Sequence, residues 1–152
     1  MAQGFSLQLV LDLAVRDAEA QAREVKRSHG EWLRARGQRV HLLALRDERV
    51  KALATQLRPG ISAPALAMRN RFMNMQQIEL HKAATRIEVT YQAWQILLAR
   101  WLHAQDRVKA LRVLESRHMQ ARGVQLRRQE QRQHDELAQN TRFWRADHES
   151  AM

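Results

Sequence analysis

The stretch QLRPGISAP, residues 56–64, holds both prolines of the 152-residue chain with a glycine between them. Proline has no N–H to donate and disfavours helical backbone in the residue before it, so this stretch ends one helix and opens another. The other glycines, at 4, 30, 37 and 123, stand singly and make no comparable breaker. On both sides the sequence is Arg-rich and apolar at helical intervals. The reading is all-α: a long antiparallel two-helix coiled-coil hairpin in one domain, 1–152. Helix 1 spans 5–57, the hinge 58–63 and helix 2 64–140, with Pro64 in its first turn. The C-terminal extension is expected to fray, with a flexible tail at 141–152.

On the first helix, Leu7, Leu11, Ala14, Ala18, Val25, Trp32 and Ala35 recur at spacings of three, four or seven and form one stripe. Beyond Ala35 the stripe is expected to resume at Val40, Leu43, Val50, Ala54 and Leu57, four residues out of phase, as a stutter softened by Gly30 and Gly37. Asp12 with Arg16, Glu19 with Arg23, and Asp47 with Lys51 stand in the acid-first order that favours a helix. The second helix has the clearer register: Leu66, Met73, Leu80, Ile87, Trp94, Trp101 and Val108 fall at an unbroken interval of seven. Ala84, Tyr91, Leu98, Ala104 and Leu111 stand near the intervening seam positions, and the pattern thins through His118, Ala121, Leu126 and Leu137. Two helices of roughly 50 residues would make a rod about 75 Å long.

Eight aromatic residues and few glycines suit a narrow seam better than a thick core. The chain has no cysteine, which removes disulfides and thiolate metal sites and agrees with a reducing compartment. The opening MAQGFSLQLVLDLAVRD carries no basic leader, so a secretory signal is not expected. No apolar run approaches the ~20 residues that span a bilayer. A cytoplasmic protein is the expectation.

The formal charge of +10 invites a nucleic-acid partner. Against that, the arginines are interleaved with acids, and the one basic cluster, QLRRQEQRQH at 125–134, has no aromatic to stack a base. A solvated helical face is the simpler explanation of the charge, and acidic proteins and anionic lipid stay open as partners. The seven histidines never fall three or four apart, so no helical face offers a paired metal site, and no glycine cluster cradles a phosphate. Glu130, His134, Asp135 and Glu136 can be drawn as an acid–base group, but they sit on a polar segment with little apolar cover. No catalytic residue, cofactor or metal is assigned, and an enzyme is not expected. Phe72, beside the seam position Met73, is expected to point off the seam, where it is either a docking side chain or incidental. Phe143 and Trp144 stay open between partner anchors and residues packing on a frayed tail.

The chain resembles the FliJ family of the flagellar type III export apparatus. The resemblance runs through LQLVLDLAVRDAEA at 7–20, QRVHLLALRDER at 38–49, GIS at 60–62, RFMNMQQIEL at 71–80 and RWLHAQDRVKALRVLESRHMQ at 100–120. It implies an antiparallel coiled coil similar to the central stalk of rotary ATPases. Such a stalk enters the ring of the hexameric export ATPase, contacts the cytoplasmic domain of the export gate and helps cycle export chaperones. It is a monomer when free and associates peripherally with the cytoplasmic face of the membrane. The ends far from the hinge, near Leu7 to Ala20 and Val108 to Gln139, would enter the ring. Phe72 matches the family's gate-binding aromatic, and Gln76 and Glu79 follow where more apolar side chains are usual. Gln38 and Leu42 match chaperone-binding positions, whereas Leu45 and Arg49 stand where tyrosines are common, which puts chaperone binding in doubt. An equivalent stalk of a virulence secretion system, a nucleic-acid-binding hairpin and a self-associating scaffold are the alternatives.

Overall fold

The computed structural model describes residues 4–56, 60 and 62–151, apart from the Gln56 side chain. It is all-α, with no strand among the described residues. Helix α1 spans Gln8–Gln56 and helix α2 spans Ala63–Ser150. Leu57 and the hinge residues Arg58, Pro59 and Ile61 lie outside the described residues. Gly60 is described and has φ +105°, a left-handed conformation that an L side chain adopts only with strain. Ser62 then caps α2: its Oγ accepts a hydrogen bond from the Ala65 N–H at 3.4 Å and its carbonyl accepts one from the Leu66 N–H at 3.0 Å. Pro64 follows in the first turn, where its missing N–H leaves no helical bond unmade.

The chain divides into two compact units, Arg16–Gln105 and Met1–Val15 with Asp106–Met152. In the first, α1 and α2 run antiparallel: Trp32 stacks on Trp94 with ring centroids 5.2 Å apart, and seventeen residues further along α1, Arg49 meets Phe72, twenty-two residues earlier on α2. The α1 side of this seam is Ala18, Val25, Ser28, Trp32, Ala35, Leu42, Arg46 and Leu53, all buried or half-buried. One heptad phase therefore continues past Ala35, and the expected stutter is absent. Val40 is 66% exposed, Val50 42% exposed and Ala54 exposed, while Leu43 is half-buried. Arginines explain the difference: at the seam margin a long apolar stem can cover α2 while the guanidinium stays in water, so Arg46 holds a position that hydrophobicity alone would not assign.

On α2 the interval of seven through Met73, Leu80, Ile87, Trp94 and Trp101 is half-buried throughout. The intervening row is Gln76, Ala83, Thr90, Leu97 and Ala104, so Ala83 is buried where Ala84 was expected, Ala84 is exposed and Tyr91 is 37% exposed. Leu66 also departs from its expected place in the seam, at 44% exposure. Leu53 shares a cavity with Arg69 and Met73, and α1 ends at Gln56, so little of α1 remains to cover the first turns of α2.

In the second unit Leu11, Ala14, Val108 and Leu111 are buried, and the Phe5 ring lies 5.7 Å from that of His118. Cover ends at Gly123. From Val124 onward every described residue is exposed, yet α2 continues to Ser150, beyond the helix end expected at 140 and through most of the tail expected at 141–152. Phe143 and Trp144, 71% and 68% exposed, pack on no other element.

Among the described residues, alanine supplies five of the eight buried apolar residues, a composition that lets helices approach closely but buries little area per residue. In Arg16–Gln105 the larger seam side chains, such as Trp32, Leu80, Ile87 and Trp94, are half-buried beside them. Surface charge adds little: the described ion pairs are Arg27 with Glu24 and Glu31, both at 2.7 Å, and Lys82 with Glu79 at 3.4 Å. The hydrogen bond that Arg27 donates to Glu24, then the charges of Glu24 and Glu31, raise the Arg27 pKa, so its protonation is unchanged near neutrality. The pairs expected at Asp12–Arg16, Glu19–Arg23 and Asp47–Lys51 do not close; Asp12 instead accepts a hydrogen bond from Gln8 at 3.0 Å.

Candidate partner-binding groove

The side chains expected to meet partners fall on both helices within Arg16–Gln105, and the antiparallel register brings most of them together. Leu42, Leu45 and Arg49 follow one another at spacings of three and four and so share a face of α1. Phe72, Gln76 and Glu79 do the same on α2. All six line one cavity of about 300 Å³, together with Met75 and Leu80. Gln38 is exposed and lies outside that lining.

Phe72 does not point clear of the seam. It is half-buried, and the Arg49 guanidinium lies over its ring, 4.8 Å from the centroid. A contact of this kind is worth about 0.5–1 kcal/mol at an exposed site. Arg49 and Phe72 also line a second cavity, of about 490 Å³, with Ala52, Leu53, Ala65, Met68 and Arg69. Of these, Met68 is 75% exposed, and Met75 in the first cavity is 67% exposed. These methionines were missed in the sequence because they lie off the seam row; their spacing of three to four from Phe72 was the available signal.

Gln76 is a further departure from an ordinary docking side chain. It belongs to the intervening seam row, is half-buried, and its Oε1 has no hydrogen-bond partner. Glu79 is exposed and held by Lys82. The groove therefore has an apolar floor, a cation stacked on its central ring and one carboxylate at its rim. Such a lining can accept an apolar side chain from a partner. Among the described residues no cluster of His, Asp and Glu converges on a metal-sized site.

Two long helices thus jointly build an exposed, largely apolar groove. Residues 3–147 match the family described as Flagellar FliJ protein, and the chain belongs to that family. No curated protein and no solved structure matches the chain. Membership makes it a component of flagellar protein export, with a structural part to play in that machinery. Among the described residues, no helix is long and apolar enough to cross a membrane.

Proposed function

We propose that this chain is the central stalk and coupler of the hexameric export ATPase in flagellar type III export. It meets the cytoplasmic domain of the export gate through Phe72, Gln76 and Glu79, and assists export chaperone cycling through Leu42, Leu45 and Arg49, with Gln38 as a neighbouring contact. The observation that carries this reading is the single cavity lined by six of those seven side chains, drawn from two helices. Family membership supplies the export context.

The ring is met by the helix ends far from the hinge, through Leu7 to Ala20 and Val108 to Gln139. Support comes from the exposure of every described residue beyond Gly123 and from Arg127, Arg128 and Arg132 along that surface, which suit acidic ring loops. The protein works at the cytoplasmic face of the membrane as a peripheral component and performs no chemistry of its own. At low micromolar concentration the free chain is a monomer.

Binding to the isolated cytoplasmic domain of the export gate tests the groove. Phe72→Ala is expected to weaken binding at least tenfold, as hot-spot aromatics do. Met73→Ala removes an equally half-buried neighbour that does not line this cavity, and should lower melting while leaving gate affinity within about twofold. Wild-type gate binding by Phe72→Ala would rule out the groove as the gate contact.

A further inference from the structure

The face of α1 turned away from α2 carries a pattern of its own. Lys26, Leu33, Val40 and Asp47 stand at intervals of seven and form one row along the helix. The row lies on the side opposite the seam residues Ser28, Ala35 and Leu42. Leu33 is 47% exposed and Val40 66% exposed. Lys26 and Asp47 are exposed, and neither has an ion-pair partner among the described residues. Gly30 and Gly37 flank the row with nothing within 4 Å of where a Cβ would stand.

Read along the chain, the row is cation, apolar, apolar, anion. Reversed, it becomes its own complement. Two copies laid antiparallel about an axis near Gly37 set Lys26 of each against Asp47 of the other, and Leu33 of each against Val40 of the other. Glu48 adds a second carboxylate beside Asp47. A parallel pairing would set Lys26 against Lys26. A uniformly charged partner, whether nucleic acid or anionic lipid, would meet repulsion at one end of the row. The arrangement is that of an isologous interface, in which one patch serves both subunits.

We propose that this outward face of α1 is a self-association surface that pairs two copies of the chain antiparallel. The inference goes beyond the stalk reading and does not depend on it. The row spans about 32 Å of helix. A contact so narrow falls short of the ~800 Å² per partner of a standard interface, so pairing is weak, with a dissociation constant on the order of 100 µM. The chain is thus monomeric at low micromolar concentration and paired when crowded.

Sedimentation equilibrium of the full chain, from about 5 to 500 µM, is the test. The expected result is an average mass that climbs toward twice the chain mass. Lys26→Glu and Asp47→Lys should each weaken pairing at least tenfold, although the first lowers the net charge from +10 to +8 and the second raises it from +10 to +12. A general charge effect would move the two in opposite directions. Mixing the two variants should restore pairing, because each introduced charge then meets its opposite.

Because the native chain has no cysteine, Gly37→Cys places a unique reporter near the axis. It should cross-link chain to chain at least ten times faster than Thr85→Cys, which is exposed on α2. The proposal is overturned by a mass that stays monomeric throughout, by single variants that associate like wild type, by a mixture that does not recover, or by equal cross-linking rates. Association unchanged in the single variants would point to helix exchange through the seam.

Discussion

Trp94 shows how a thin seam uses one large side chain. It stacks on Trp32, takes the His29 ring at 4.6 Å and receives Tyr91 edge-on at 6.0 Å, yet its Nε1 is buried with no acceptor. The aromatic contacts add about 0.5–1.5 kcal/mol each beyond area burial, while an unsatisfied donor costs about 1–3 kcal/mol. Trp94→Ala is therefore expected to lose about 2–4 kcal/mol in urea unfolding, and Trp94→Phe much less, because it removes the orphaned N–H along with part of the ring. Equal losses would mean that the N–H is satisfied. Gly60 has the opposite kind of importance, through backbone alone. At φ +105°, Gly60→Ala should cost about 1–2 kcal/mol with no contact removed, and an unchanged unfolding midpoint would show that the turn relaxes. Trp94 and Gly60 could be anticipated from pattern and residue type. Phe72 could not: one helix predicts a side chain beside the seam row but says nothing of the Arg49 that the facing helix lays across it.

Among the elements, α2 is the more legible because its seam row is almost wholly apolar from Met73 to Val108. On α1 the row passes through Arg39 and Arg46, while Val40 and Val50 lie outside it, so hydrophobicity points to the wrong phase even though the heptad never breaks. The helicity of the last turns of α2 was equally hard to foresee. From Val124 to Ser150 no packing supports the helix, and what supports it is local: its own backbone bonds and the side-chain contact of Gln131 with Asp135. Such a side-chain contact contributes a few tenths of a kcal/mol, so this segment should open far more readily than the seam. Ending the chain at Gly123 is expected to lower the helical signal in proportion to the residues removed and leave the melting midpoint within about 2 °C. A large fall in the midpoint would mean that the segment packs on the rest of the chain.

For the whole molecule, the sequence supports an all-α hairpin of the FliJ family and suggests which residues meet partners. It does not show that Leu42, Leu45 and Arg49 on one helix and Phe72, Gln76 and Glu79 on the other line a single cavity. That convergence depends on the register between helices, which a one-residue shift of either would destroy. The proposed stalk action would need helix ends that meet the ATPase ring and a groove left free for the gate. A basic hairpin bound to nucleic acid would instead show an affinity that falls steeply with salt. The most direct measurement is the rate of ATP hydrolysis by the cognate export ATPase, titrated with this protein at several salt concentrations while the native mass of the mixture is followed. Stimulation that saturates near one chain per hexamer, with a complex of matching mass, is the result expected of a central stalk. No stimulation and no complex, from a chain that is itself helical and monomeric at the working concentration, would contradict that reading.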